Sequence, residues 1–166
     1  MRKVVFLSLM MMLMTTVVKA QDWSFSDDSY ESNRHNFGLE LGVGGTGNIT
    51  VDLGFKWQIN LHENIAWDAI VIKALADVEN DLMDSLTSEA LTGLRYISPE
   101  FAGMTAFVNG RAGYAHHIDS SEGGFAFELG GGINVTGNIY LGYAYNNFKI
   151  DGSKVKYHAF RIGFLF

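Results

Sequence analysis

The chain has no cysteine. That excludes disulfides, thiolate metal centres and a cysteine-borne lipid anchor. Proline occurs once, at Pro99, so almost every segment is free to enter a hydrogen-bonded ladder. Beyond residue 20 no apolar run is long enough for a spanning helix, and the longest, Ala69 to Ala76, is interrupted by Lys73. A membrane-embedded form would therefore have to be a closed barrel. Positive charge is scarce too. The net charge of −6 becomes −9 once residues 1–20, with three basic and no acidic side chains, are set aside. Such a chain repels nucleic-acid phosphates, so no nucleic-acid partner is expected. The glycines form no phosphate-binding loop ahead of a helix, and no cofactor is expected.

What is present begins with a leader. Arg2 and Lys3 precede an apolar stretch from Val4 to Val18, and Val18-Lys19-Ala20 places small residues where a signal peptidase cuts. Residues 1–20 read as a cleaved secretory signal peptide. Residues 21–36, with Asp22, Asp27, Asp28 and Glu31, read as a polar N-terminal arm. Residues 37–166 form the remaining domain.

That domain alternates. In Ile49 to Leu61 the odd positions Ile49, Val51, Leu53, Phe55, Trp57, Ile59 and Leu61 are apolar, and Thr50, Asp52, Gly54, Lys56, Gln58 and Asn60 lie between them. A period of two is a strand with one oily face. The same pattern predicts strands over 37–43, 65–76, 87–97, 105–116, 125–135, 139–147 and 157–166. Ala69 to Ala76 is apolar on both faces, and a buried helix competes with a strand there. The connections carry turn chemistry: Gly44 to Asn48, Ser98-Pro99-Glu100 and Thr136-Gly137-Asn138. Eight strands of about nine to eleven residues suit tilted membrane strands. The predicted fold is all-β, an eight-stranded antiparallel up-and-down transmembrane β-barrel.

The last strand is the most specific. Phe160, Ile162, Phe164 and Phe166 share one face, with Arg161, Gly163 and Leu165 on the other. An aromatic carboxy-terminal residue on an oily strand resembles the carboxy-terminal signal of bacterial outer-membrane barrels. The whole domain resembles the small OmpA/OmpX-like, porin-family barrels of Gram-negative bacteria. The resemblance implies an outer-membrane location with the C-terminus periplasmic, a periplasmic arm over 21–36, and an assembly signal in Phe160, Ile162, Phe164 and Phe166 that the outer-membrane assembly machinery reads. It also implies lipid and lipopolysaccharide as neighbours, and a monomer. Loops 77–86, 117–124 and 148–156 then face outward, where they could meet an extracellular partner. Trp57, Trp67, Tyr96 and Phe166 fall near one rim, and Tyr114, Phe125, Tyr143 and Tyr145 near the other, as interfacial girdles do.

Most strand charges fall on the inner face: Glu40, Asp52, Lys56, Asp68, Glu89, Arg95, Arg111, Glu128 and Arg161. An eight-stranded barrel is just wide enough for side chains to fill, so these must pair. Loop centres set Arg111 opposite Glu128, Asp68 opposite Arg95 and Glu40 opposite Asp52. The last is a like-charge pair that Arg161, helped by Lys56, is expected to bridge.

The expected role is non-enzymatic, structural or surface-interacting, with a filled lumen and no catalytic or metal site. Three alternatives stand beside it. The first is a lipid-A-modifying enzyme using His116, His117, Asp119, Ser120, Ser121 and Glu122, which supply hydrolase residue types without a diagnostic spacing. The second is a small ion-conducting pore. The third, a soluble lipocalin-like barrel, requires the opposite polarity. The acidic segment with Asp77, Glu79, Asp81 and Asp84 lacks the glycine and closing glutamate of a calcium loop.

Overall fold

A computed structural model describes residues 35–78, 86–118, 122–150 and 153–166. The signal segment, residues 21–34 of the arm, and residues 79–85, 119–121 and 151–152 of the proposed loops lie outside them. Eight strands make up the described fold: β1 (His35–Gly45), β2 (Thr50–His62), β3 (Ile65–Asp77), β4 (Thr87–Ile97), β5 (Thr105–His117), β6 (Gly123–Asn134), β7 (Ile139–Ile150) and β8 (Ser153–Leu165). Each runs antiparallel to the next, and β8 closes on β1 from Gly38↔Leu165 to Gly45↔His158. Closure pairs both edges of every strand, which an apolar solvent demands. The end bearing His35 and Leu165 is called here the terminus end, and the other the distal end.

The polarity is the reverse of a water-soluble barrel. Val43, Leu94, Val108, Phe125, Leu129 and Phe160 are exposed on the outside. Inside, five carboxylates (Glu40, Asp52, Asp68, Glu89, Glu128) and five cations (Lys56, Lys73, Arg95, Arg111, Arg161) are buried. An apolar belt around a charged interior is stable in lipid and a liability in water.

Three expectations change, and the strand expected over 65–76 prevails over the competing helix. β1 starts at His35, two residues inside the proposed arm. Residues 65–77 are strand throughout, not helix, paired with β2 on one side and β4 on the other. The β-branched Ile65, Ile70, Val71 and Ile72 favour that ladder.

The 148–156 loop is mostly hairpin, because β7 and β8 stay paired up to Ile150↔Ser153. Phe148 and Tyr157 hold it from inside, edge to face at 6.3 Å. Between the last rung lies Asp151-Gly152 in sequence, a two-residue hairpin signal.

The β1–β2 connection is centred one residue later than expected, since Gly44 pairs with Thr50. Gly45, at φ 147°, and Gly47, at φ 148°, make this shifted turn accessible.

Candidate functional site: the charged lumen

The small radius of the barrel decides where a large inner side chain fits. Each tends to face a glycine across the ladder. Glu40 faces Gly54 on β2 and Gly163 on β8, Asp52 faces Gly42, Asp68 faces Gly93, and Arg161 faces Gly42 and Gly142. A Cβ at Gly42 would collide with the Asp52 carboxylate, and one at Gly163 with the Tyr140 ring. The glycines of the inner face are thus the space into which the charges lie.

Two carboxylates are the hubs. Glu40 accepts both ends of the Arg111 guanidinium, Nη2 at 2.9 Å and Nη1 at 3.1 Å, and the Tyr140 hydroxyl also donates to it. Arg161 Nη1 stands 3.5 Å away and Lys56 Nζ 3.7 Å away. Glu128 is met by Lys73 at 2.5 Å, Arg111 at 2.8 Å and Arg161 at 2.9 Å.

The cations link the hubs to the other acids. Arg111 Nε donates to Asp68 at 2.7 Å, Arg161 Nη2 to Asp52 at 3.1 Å, and Lys73 stands 2.9 Å from Glu89. Arg95 completes the layer, 3.7 Å from Asp68. Every buried charge therefore has an opposite charge within reach, the condition under which burial is tolerated.

The charged layer is closed at both ends. Toward the terminus end the Arg95 guanidinium lies 4.2 Å over the Phe107 ring, Lys56 lies 4.6 Å over Tyr140, and the two rings meet edge to face at 5.3 Å. These are cation–π contacts in a desolvated setting. Toward the distal end Val71, Leu75, Leu91, Ala126, Phe148 and Tyr157 pack into an apolar plug. Beside Glu40, Arg95, Arg111 and Tyr140 a void of about 10 Å³ has room for about one water molecule.

The eight proposed network residues Glu40, Asp52, Lys56, Asp68, Arg95, Arg111, Glu128 and Arg161 all lie buried in this lumen. Arg111 faces Glu128 directly across the β5–β6 ladder. Two register expectations are corrected. Asp52 faces Gly42, not Glu40, because of the later turn centre. Asp68 faces Gly93, and Arg95 faces Ala66: the ladder from Leu75↔Thr87 to Val71↔Leu91 is already offset by one residue from the expected register, and the bulge between Asp68 and Val71 adds a second. Arg161 nevertheless reaches both Glu40 and Asp52.

Sequence reasoning missed Lys73. Strict alternation from Trp67 places it outside, but the bulge reverses the phase, so Val71, Lys73 and Leu75 point inward. Two partners were also missed, Tyr140 on Glu40 and Asn146, whose Oδ1 accepts from Lys73 at 3.0 Å.

The other singled-out residues do not join the lumen network. Phe160, Ile162 and Phe164 face outward on β8. His158 is also outside, its Nδ1 2.5 Å from the Tyr143 hydroxyl. His116 and His117 end β5, while Asp119, Ser120 and Ser121 lie outside the described residues.

No family model matches the chain, and no curated protein does. Solved structures do. The crystal structure of Neisserial surface protein A has a TM-score of 0.61 at 10% identity, covering 79% of this chain and 94% of that one. The outer membrane enzyme PagL gives 0.51 at 13% identity, over 78% and 97%. A de novo designed transmembrane β-barrel gives 0.50 at 15% identity, over 79% and 95%. The chain has the fold of small outer-membrane β-barrels.

Proposed function

We propose that this protein is a non-enzymatic outer-membrane barrel of a Gram-negative bacterium, with its C-terminus periplasmic and its distal loops at the cell surface. The observation that carries the reading is the inverted polarity: an apolar belt outside and ten paired charges inside. The interior supports a sealed barrel rather than a pore. A dehydrated ion would have to pass the Phe107–Tyr140 contact, displace bonded partners of Glu40 and Glu128, and cross the apolar plug. The protein would then act through what its ends and outer surface touch.

On this reading residues 1–20 are the exported leader, residues 21–34 a periplasmic arm, and Phe160, Ile162, Phe164 and Phe166 the assembly signal. The short connections at 62–65, 97–105 and 134–139 turn at the periplasmic side. The test is heat-modifiability in washed outer membranes, comparing unboiled and boiled samples by SDS gel. The expected result is a mobility shift confined to the membrane fraction. A periplasmic, soluble protein with no shift would overturn the proposal.

A further inference from the structure

Nine basic residues remain after residue 20. Five of them are the lumen cations, and Arg34 lies outside the described residues. The other three, Lys149, Lys154 and Lys156, all stand on one hairpin. Lys149 and Lys154 face each other on one rung of the β7–β8 ladder, and Lys156 lies two residues along the same face, opposite Asn147. All three are exposed and point outward, since their neighbours Phe148 and Tyr157 are buried inside. Among the described residues no ion pair engages them.

Two like charges directly across an antiparallel rung are unfavourable by themselves. At this height the flanking ladders have ended, and the backbone is held instead by the Thr46 hydroxyl, which donates to the Lys156 carbonyl at 2.7 Å, and by Gly124 against the Lys149 backbone. The last β6–β7 rung is Ala126↔Phe148, and the last β1–β8 rung is Gly45↔His158. In a chain short of positive charge, three exposed lysines gathered on one outer face of a hairpin tip point to an external anion.

The surface beneath identifies its kind. Below the lysines on the same outer face come Tyr145, His158 and Tyr143, with ring centroids 5.1 Å and 5.7 Å from the histidine. Below these come Phe160, Leu141 and Ile162, all exposed and apolar. Cation, aromatic and aliphatic layers in that order match headgroup, interface and acyl chain of one lipid.

We propose that Lys149, Lys154 and Lys156 form a binding site for a net-anionic, phosphate-bearing lipid headgroup, whose acyl chains lie along Tyr143, Phe160 and Ile162. This deepens the membrane reading and rests on it. A soluble polyanion would use the lysines but not the aromatic and aliphatic layers below.

The test uses the full-length mature chain refolded in micelles doped with equal phosphatidylglycerol and phosphatidylcholine, read by native mass spectrometry. Wild type should retain phosphatidylglycerol in preference. The variant K149Q/K154Q/K156Q should lose that preference, by on the order of five-fold for each lysine neutralised. Gel mobility before and after boiling reports separately whether each sample is a barrel. A shifted wild-type protein that binds both lipids equally, or a shifted triple variant with undiminished preference, overturns the site alone. Heparin binding without lipid preference also overturns it, in favour of a soluble polyanion. Absence of the shift in wild type overturns the membrane reading and this site with it.

Discussion

Lys73 on β3 meets Glu128 on β6 at 2.5 Å, from nearly opposite walls of the barrel. Its ammonium also stands 2.9 Å from Glu89, whose ion pairing among the described residues is with Lys73 alone. One flexible cation thus ties three strands together across the lumen. Replacing it leaves Glu89 buried without a counter-charge, whereas Glu128 keeps Arg111 and Arg161.

Lys73→Met is therefore expected to cost about 3–5 kcal/mol, the range for orphaning a buried charge. Adding Glu89→Gln should restore at least about 1 kcal/mol, because the two residues are coupled. Urea unfolding in lipid vesicles checks both. Additive losses would mean that the pair does not interact.

Tyr140 lies over Gly163 and donates to Glu40. Gly163→Val is expected to displace the ring and destabilise the barrel by about 1–3 kcal/mol. The same substitution in a Tyr140→Ala background should cost much less, since the space is already open. Equal costs in the two backgrounds would show that the ring does not occupy that site.

Removal of Phe166 is expected to lower the amount of barrel assembled in outer membranes, while refolding of the purified chain into detergent proceeds as in wild type. Gel mobility in the two settings separates a defect in cellular recognition from a defect in folding. Failure in both would make the residue structural.

The fold was legible because β2, β6 and β8 keep strict period two, and lipid on the outside makes that pattern strong. The inner glycines were visible as well, though their role as space for facing charges follows only from register. What escaped was phase and register. The bulge after Asp68 adds a residue that no composition signal marks, and it carried Lys73 from the outer face to the centre of the network. The β1–β2 turn slipped by one residue because Gly44, Gly45 and Gly47 allow several turn lengths. Asp151-Gly152 carried a hairpin signal that could have shortened the expected 148–156 loop. Arg161 could be placed between Glu40 and Asp52 without exact register, because a guanidinium on a closing strand reaches more than one rung.

The central claim is that the outer face contacts lipid, and Leu129→Arg tests it most directly. Leu129 sits midway along β6, points outward and is 57% exposed. Folding free energy would be measured for wild type and variant in phospholipid vesicles. A lipid-facing position near the bilayer centre is expected to lose about 2–4 kcal/mol. A change within about 0.5 kcal/mol, as at a water-exposed surface position, would contradict the account.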